Sequence, residues 1–579
     1  MYTLRRFTIA LASAAVVLAG ACNSSDSTGP AAPLPVFGLT VAATGSASTR
    51  VTFSGRATES YEIERAEGAA GSFAIVNTVA TVATDGIQTY NDAGLKVNTA
   101  YRYRVTSIKG TQRSAATSEV SATTLAFGSA AATISTDILT SRTLYADTAY
   151  LLSGFIHVAN GATITIQPGT TIKGDYATLG SSLMIMRGAK IQAVGTVDAP
   201  IVFTSSRSAG SRQPGDWGGL LLVGNAIDNR SGQVAVEGTG TDGATVVGGK
   251  NYTVIYNGGT VQTDNSGTLS YVRVEFGGFA PLQDQEFNSF TFCAIGSGTR
   301  GSYLESLAGL DDSFEFFGGA SDMDHLIAFE TADDMLDQSE GFQGRVQFYI
   351  GINTTQMTPR TGAGFYSVDL EGIENDGCNG TGCDLGHNSA PFTIPLIANF
   401  TLIGCGQQSC MGAGGGHGLM LRRGTGGYYV NGVVARFPAD GISLRDAATY
   451  DRAGATTTPS ATADLQVRNV LFSETPLLFQ AASASQFALD ATANNLTLSS
   501  ATAASLFALI PAVGGVPTGI SSFDFTPAAG SAIASGGLAT FTGAILAKAG
   551  SFVTPTTYLG AVAPGGTKWW QGWTAYYRN

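Results

Sequence analysis

Short strand-like runs alternate with turn residues between Tyr150 and Val223. Apolar and polar residues alternate within each run, and Gly, Asn, Asp or Pro stands between the runs. The segments NGATITIQPGTTI and RGAKIQAVGTVDAPIVF both place Gly-Ala before a β run and a Gly turn after it. A repeat of roughly 25 residues built only of strands and turns predicts the rungs of a solenoid.

The same stretch contains Gly188-Ala189, Gly195-Thr196, Pro200-Ile201, Phe203-Thr204-Ser205 and Gly215-Asp216-Trp217-Gly218-Gly219. With these residues it resembles the N-terminal rungs of secreted right-handed parallel β-helix proteins. The resemblance implies a parallel β-helix over residues 133–579. Because that superfamily includes lyases, hydrolases, adhesins and inert surface proteins, it implies a fold and no single activity.

Residues 36–125 form a separate region of short alternating runs, which predicts a β-sandwich. Tyr61-x-Ile63-x-Arg65 and the segment from Leu95 to Val105 resemble a fibronectin type III domain, in which Tyr101 takes the tyrosine-corner position. Such a domain implies a rigid spacer. Residues 126–132 (AFGSAAA) are the predicted linker. The predicted fold is therefore all-β, a fibronectin type III-like sandwich followed by a long right-handed β-solenoid.

The first residues have the pattern of an export signal. Arg5-Arg6 precede an apolar stretch that is too short to span a bilayer, and the segment from Leu18 to Cys22 resembles a bacterial lipobox. This resemblance implies a signal peptide over 1–21, lipidation of Cys22, a tether over 22–35 and an outer-membrane or cell-surface location. Ala19 departs from the lipobox pattern, so an ordinary signal peptide with a nearby cysteine, and hence secretion, remains the alternative.

Charge excludes one class of partner. The formal net charge is −12 and only 13% of the residues are charged, so the sequence offers no basic stripe to neutralise nucleic-acid phosphates. The same negative net charge disfavours the binding of acidic polysaccharides, unless a cation lies between the protein and the polymer.

Two close cysteine pairs lie in turn-rich segments of the predicted solenoid. Cys378 and Cys383 bracket NGTG, and Cys405 and Cys410 bracket GQQS. In an exported chain these spacings predict local disulfides, 378–383 and 405–410, with Cys293 free. A zinc site fits the spacing poorly, and pairing between the two loops stays open.

Acidic residues are densest between Gly309 and Glu340. Residues one rung apart in a β-helix stack about 5 Å from each other, so carboxylates in successive rungs repel unless a cation or a raised pKa compensates. We therefore predict a Ca²⁺ site, to which Glu371, Glu374 and Asp376 add further oxygens. The alternative is a set of solvated turn carboxylates. The predicted calcium ligands are Asp311, Asp312, Glu315, Asp333, Asp334 and Asp337.

Candidate catalytic residues are few. Asp311-Asp312 and the Gly-His-Gly motif at His417 resemble parts of polygalacturonase-type hydrolases, but the motifs lie much farther apart here than in that family. A lyase needs a basic residue instead, and Arg345, Arg422 and Arg423 stand closest in sequence. Because Arg422 and Arg423 are adjacent, only one of them is expected on a given strand face.

These observations favour a surface lipoprotein without catalysis, whose β-helix serves adhesion, glycan binding or self-assembly. Its expected partners are the outer membrane, through the lipid, and an extracellular polysaccharide or protein. The alternative is a Ca²⁺-dependent polysaccharide lyase or glycoside hydrolase acting at Asp311 and Asp312.

Overall fold

A computed structural model of the chain describes residues 33–240, 253–283, 285–367, 369–454, 461–480 and 489–579. The predicted signal peptide and Cys22 lie outside these residues. The chain divides into two compact units, one ending at Thr124 and the other beginning at Leu125. None of the helices in the described part of the chain has the length and apolar composition needed to cross a membrane.

The first unit contains two antiparallel sheets, β1-β2-β5 and a second one formed by β3, β4, β6, β7 and β8. Inward residues of both sheets, including Phe53 and Tyr103, share one apolar core, as in a β-sandwich. Tyr101 accepts a hydrogen bond at 2.9 Å from the backbone N–H of Lys96. The strands are β1 (Phe37–Gly45), β2 (Ser48–Gly55), β3 (Ser60–Glu67), β4 (Ala74–Val79), β5 (Gly86–Ala93), β6 (Ala100–Lys109), β7 (Gln112–Arg113) and β8 (Val120–Thr123).

The second unit is a right-handed parallel β-helix, as the sequence predicts. Its first strand overlaps the predicted linker, 126–132, because Ala130–Ile134 pairs in parallel with Thr148–Leu152. The strands up to the middle of the unit are β9 (Ala130–Ile134), β10 (Arg142–Leu144), β11 (Thr148–Leu152), β12 (Phe155–Val158), β13 (Thr163–Ile166), β14 (Thr171–Gly174), β15 (Ser182–Ile185), β16 (Lys190–Val194), β17 (Ile201–Ser205), β18 (Gly219–Val223), β19 (Gly267–Glu275), β20 (Phe279–Leu282), β21 (Gln285–Phe287), β22 (Phe290–Cys293) and β23 (Arg300–Leu307).

The remaining strands are β24 (Phe314–Phe317), β25 (Asp322–Phe329), β26 (Asp337–Ser339), β27 (Arg345–Ile352), β28 (Ile373–Asp376), β29 (Leu396–Ile403), β30 (His417–Arg422), β31 (Gly427–Ala435), β32 (Asp440–Leu444), β33 (Leu465–Ser473), β34 (Leu496–Ser499), β35 (Phe507–Leu509) and β36 (Asp524–Pro527). The helices are α1 (Ala447–Arg452), α2 (Ala503–Leu506) and α3 (Gly543–Ala549), and 3₁₀ turns lie at 386–388, 408–410, 520–522 and 532–534.

Two parallel sheets form the coil. The 15-stranded sheet is folded along its length, since β19 pairs with β16 through its first half and with β17 through its second half. Tyr271 occupies this bend with a φ of 49°, and Tyr303 and His325 repeat it with 56° and 55°. Their rings stack at 4.4 and 4.5 Å between centroids. The nine-stranded sheet, β12-β15-β18-β22-β24-β26-β28-β30-β32, faces the other two strand columns across one apolar core.

The coil is shorter than the predicted span of 133–579, because its last parallel strand is β34. The outer faces of the large sheet carry apolar residues such as Phe329 and Leu471, and residues beyond 500 fold back over them. Trp570 and Trp573 are buried in this covering. The C-terminal tryptophans therefore seal the side of the solenoid, not its end. On the outer surface of the nine-stranded sheet, the first strands carry apolar residues such as Met184 and Leu221, which pack against the insertion after β18. The strands β24, β26 and β28 carry acidic side chains there instead.

Candidate functional site

Carboxylates line up in register on the outer surface of the nine-stranded sheet. Glu315 of β24 pairs with Asp337 of β26, which pairs with Glu374 of β28. Neighbouring residues on these strands, such as Phe316, point into the apolar core. Strand alternation thus puts three acidic side chains on one outer column, each one rung from the next.

A second acidic column runs beside the first, just before each strand begins. The Asp312 Oδ1 accepts a hydrogen bond at 2.8 Å from the backbone N–H of Asp334. The Asp334 Oδ1 accepts one at 2.9 Å from the backbone N–H of Glu371. Each rung therefore carries an acid-x-x-acid pair. We call the following six residues the carboxylate lattice: Asp312, Glu315, Asp334, Asp337, Glu371 and Glu374.

The lattice forms the floor of a cleft with a volume of about 780 Å³. Asp311 and Asp333 extend the lattice at one side, so all the predicted calcium ligands line this cleft. The acidic lining residues are Glu237, Glu286, Asp311, Asp312, Glu315, Asp333, Asp334, Asp337, Glu340, Asp369, Glu371, Glu374 and Asp376, and the basic ones are Arg230, Arg422, Arg423 and Arg445.

Four overlapping triads of carboxylates have one oxygen from each member within 4.8 Å of the others. The Oδ1 atoms of Asp311 and Asp337 have no hydrogen-bond partner among the described residues, although both atoms are buried. The donor set consists of hard oxygen ligands, which suit Ca²⁺. The triads are Asp311–Asp312–Asp333, Asp312–Glu315–Asp337, Asp333–Asp334–Glu371 and Asp334–Asp337–Glu374.

Burial and mutual repulsion raise the pKa values of these carboxyl groups. Desolvation is the largest cause for every member, and a neighbouring carboxylate follows it in most of them. The pKa of Glu374 is raised to about 7 and that of Asp333 to about 8. The alternative prediction, solvated turn carboxylates, is therefore wrong about solvent exposure, because Asp312 and Asp334 are buried. Both carboxylates do accept hydrogen bonds from the backbone.

Arginines occupy the end of the cleft beyond β28. The Arg422 Nε donates to Asp376 Oδ1 at 3.0 Å, its Nη2 contacts Glu374, and the Arg423 Nη1 contacts Asp376 Oδ2. Both arginines face the cleft, contrary to the expectation that adjacent strand residues alternate. Arg423 follows the last residue of β30 with a φ of 59°, and this left-handed turn brings its side chain to the same side.

Two predicted catalytic candidates lie outside the lining. Arg345 belongs to β27 of the large sheet, where its Nε donates to Asp322 at 2.7 Å. His417 is buried and does not line the cleft, and its Nδ1 lies 2.8 Å from Asp440 Oδ2. Of the catalytic candidates in the sequence, the structure brings Asp311, Asp312, Arg422 and Arg423 into the cleft.

The side walls of the cleft are formed by segments that lie far from the acidic cluster in the sequence, and no sequence pattern predicts that they contact it. Arg230 stands in the insertion after β18, and its Nε donates to Glu340 at 2.7 Å. Its Nη1 donates to the carbonyl of Thr381, inside the loop closed by the disulfide of Cys378 with Cys383. A second disulfide joins Cys405 to Cys410, and Cys293 is free and buried. Sequence reasoning missed Arg230, Glu237, Glu286 and Asp369.

Residues 136–507 match a family model described as a pectate-lyase like beta helix domain, which spans more than half of the chain. Solved structures similar to parts of the chain include an Fn3-like protein from Clostridium thermocellum, with 21% identity, 15% of this chain and 88% of that chain covered, and a TM-score of 0.13.

A family 28 exopolygalacturonase from Yersinia enterocolitica has 11% identity, with 77% of this chain and 86% of that chain covered and a TM-score of 0.18. The pectate lyase Pel3 from Pectobacterium carotovorum has 10% identity, with 60% and 86% covered and a TM-score of 0.11. No curated protein matches the sequence. By the match over residues 136–507, the chain belongs to the family of the pectate-lyase like beta helix domain.

Proposed function

We propose that this protein is an exported enzyme that cleaves an extracellular polysaccharide in a Ca²⁺-dependent reaction at the acidic cleft. The observation that carries the proposal is the carboxylate lattice, in which acid-x-x-acid pairs of three successive rungs meet on one cleft floor. An adhesive face needs no such concentration of buried like charges. A cation-dependent site does, because the ion compensates charges that otherwise destabilise the fold.

The lattice residues, together with Asp311 and Asp333 beside them, fit a calcium ion. Asp311 and Asp337 each offer a buried oxygen without a protein partner in the described ranges, and Asp312, Glu315, Asp333 and Asp334 complete the set. When bound, Ca²⁺ would supply positive charge that offsets the carboxylate of an acidic sugar. Backbone groups of the protein hold the lattice in register. The N–H of Asp334 donates to the Asp312 carboxylate, and the N–H of Glu371 donates to the Asp334 carboxylate.

Proton transfer is the second property that the lattice and the adjacent Asp333 offer. Glu374, with a pKa of about 7, is within reach of protonation at neutral pH, and so is Asp333 at about 8. Groups with pKa values near the working pH are effective general acids and bases. The combination of a cation site with such a group supports bond cleavage by elimination from a uronate or by hydrolysis of a glycoside.

The N-terminal sequence pattern supports a location at the cell surface. We propose that Cys22 carries a lipid, that residues 22–35 tether the protein to the outer membrane, and that a fibronectin type III-like unit over 36–125 holds the β-helix away from the surface. The sandwich of antiparallel sheets and the Tyr101 hydrogen bond support this assignment of the first unit.

A non-catalytic glycan-binding or adhesive role is the second candidate. It is favoured by the pairing of Arg422 and Arg423 with Glu374 and Asp376, because carboxylates already neutralise the arginines beside the lattice. The same cleft would then hold a polysaccharide without breaking it.

The test uses the chain without residues 1–22, incubated with a panel of neutral and acidic polysaccharides in Ca²⁺ or in a chelator. Polymer length is followed by size exclusion, hydrolysis by new reducing ends, and elimination by the ultraviolet absorbance of an unsaturated uronate. We expect shortened polymer in Ca²⁺ only, and its loss in Asp312→Asn. The control is Asp198→Asn, an exposed acid that does not line the cleft. Intact polymer that co-elutes with the protein would overturn catalysis and establish the binding role.

A further inference from the structure

The turn between β25 and β26 carries Asp333 into the cleft, and it begins at a buried glutamate that does not line the cleft. Glu330 follows the last residue of β25 with a φ of 57° and is 2% exposed. Its carboxylate accepts a hydrogen bond from the hydroxyl of Tyr576, which stands 246 positions away in the chain, and pairs with Arg578 Nη1 at 3.0 Å. We call residues 574–578 the latch segment. It anchors the turn at its first residue.

The residue after Glu330 fixes the backbone of the acidic cluster. The Thr331 hydroxyl donates to the carbonyl oxygen of Asp311. The N–H of the same peptide group, which belongs to Asp312, donates to Asn288 Oδ1 at 3.0 Å. This peptide group is thus held from both neighbouring rungs, since Asn288 precedes β22 and Thr331 precedes β26. Because Asn288 and Thr331 are buried, these bonds fix the positions from which the two aspartates reach the cleft.

The strand end beside this turn belongs to the same network. Asn353 makes two hydrogen bonds to the backbone of Thr331, one accepted from its N–H at 3.2 Å and one donated to its carbonyl at 2.6 Å. The backbone N–H of Thr354 donates to Glu330 Oε2 at 3.1 Å, and Arg578 Nη1 donates to Thr354 Oγ1 at 3.3 Å. Buried networks of this kind rigidify as a unit, so a loss at Glu330 is transmitted to Thr331.

A second anchor of the latch segment lacks such a connection. The Tyr577 hydroxyl donates to the carboxylate of Glu275, a buried residue of β19, and Arg212 pairs with the same carboxylate at 3.8 Å. None of the described side chains that bond to this carboxylate lines the cleft. Tyr576 and Tyr577 are thus adjacent and bond alike to buried glutamates, but only Tyr576 is linked to the cluster.

We propose that the latch segment positions the cation site, because its hold on Glu330 fixes, through Thr331, the triad Asp311–Asp312–Asp333. The inference rests on the proposed function for the role of these carboxylates, and it adds residues outside the cleft that set their geometry. Calcium takes its oxygen ligands at about 2.3–2.6 Å, so a displaced ligand weakens binding. Coupling between two sites is reciprocal, and Ca²⁺ in the triad therefore also stabilises the docked latch segment.

Calorimetric titration with Ca²⁺ compares two matched variants of the protein. Tyr576→Phe removes the hydroxyl that bonds to Glu330, and Tyr577→Phe removes the hydroxyl that bonds to Glu275. Each variant loses one bond to a buried carboxylate, so both melting temperatures should fall by similar amounts. We expect Tyr576→Phe to weaken Ca²⁺ binding about fivefold, the lower end of typical coupling between sites. Tyr577→Phe should leave Ca²⁺ binding unchanged.

Thr331→Val tests the route between the two sites. It removes the hydroxyl that bonds to the Asp311 carbonyl and keeps the branched shape of the side chain. This variant should itself bind Ca²⁺ more weakly. Adding Tyr576→Phe should then weaken binding little further, because both changes interrupt one chain of contacts. Fully additive losses would overturn the inference, since the latch segment would then act independently of Thr331.

Amide hydrogen exchange separates this inference from the proposed function, because it requires no substrate. In the cation-free protein, Tyr576→Phe should speed exchange in residues 309–313, and Tyr577→Phe should not. In the parent, Ca²⁺ should slow exchange in the latch segment. If these differences are found and no polymer is cut, the enzyme is refuted and the inference stands. Equal effects of the two tyrosine variants, or absence of Ca²⁺ binding by the parent, would overturn it.

Discussion

Asp312 and Asp334 are joined across one turn of the coil: the Asp312 Oδ1 accepts a hydrogen bond at 2.8 Å from the backbone N–H of Asp334. The bond links residues 22 positions apart. The next bond, from Glu371 to Asp334, links residues 37 apart. Chain insertions of different length thus leave the carboxylates in register, because the sheet and not the loop sets their spacing.

Calcium should stabilise the protein through the lattice. At a concentration of about one hundred times Kd, a ligand adds about 2.7 kcal/mol to the free energy of unfolding, which raises the melting temperature. Asp312→Asn keeps an oxygen that can accept the bond from Asp334 and removes one charge. We expect it to melt higher than the parent in chelator and to gain less from Ca²⁺. Identical melting curves of the parent with and without Ca²⁺ would contradict the cation site.

Stability without cations should fall as the pH rises. The pKa values of the lattice carboxyls are raised on folding, above about 4 in the unfolded chain, so folding favours their protonated forms. This contribution is complete below about pH 4 and is lost as the pH passes about 7 for Glu374 and about 8 for Asp333. Chemical unfolding in chelator from pH 5 to 8 should show the decline, and Ca²⁺ should reverse it. A rise over this range would refute the account.

Arg230 should be essential for the cleft wall. Glu340 is buried, and Arg230 and Tyr256 both donate to its carboxylate. Arg230→Leu leaves this carboxylate without a counter-charge, which typically costs about 3–5 kcal/mol. The double variant Arg230→Leu/Glu340→Leu should recover much of the loss. Equal stability of the single variant and the parent in urea unfolding would show that the pair is not coupled to the fold.

Trp570 should contribute more to stability than its neighbour Trp569. Trp570 is fully buried against Phe525 in the covering of the large sheet, whereas Trp569 is half-buried. Trp570→Ala should cost about 3–5 kcal/mol by creating a cavity. Trp569→Ala serves as the matched control, and we expect it to lower the free energy of unfolding by less. The same loss in both variants would mean that the covering does not pack as described.

The coil itself was predictable from local pattern. The runs between Tyr150 and Val223 carry strand alternation and turn residues in each rung, and no distant contact is needed to recognise them. The acid-x-x-acid spacing at Asp312, Asp334 and Glu371 is also visible in the sequence, and it places the lattice once the rungs are aligned.

Other features depend on contacts that the sequence does not display. Arg345 follows the acidic cluster in sequence, but β27 belongs to the large sheet, so its side chain lies on another face. Arg230 reaches the cleft from an insertion more than a hundred residues away from Glu340 in the chain. The region beyond 500 lacks a clear strand period, because its apolar residues cover the outside of the large sheet and do not extend the coil.

The most direct measurement is a calorimetric titration of the calcium-free protein with Ca²⁺, at pH 7, in two buffers of different ionisation enthalpy. We expect saturable binding with release of protons, since the raised pKa values leave protons on the lattice until the ion enters. Asp312→Asn should weaken Ca²⁺ binding and reduce the number of protons released, and Asp198→Asn should change neither quantity. Absence of binding, or binding that releases no proton and is unaffected by Asp312→Asn, would contradict the claim that the carboxylate lattice is a cation site.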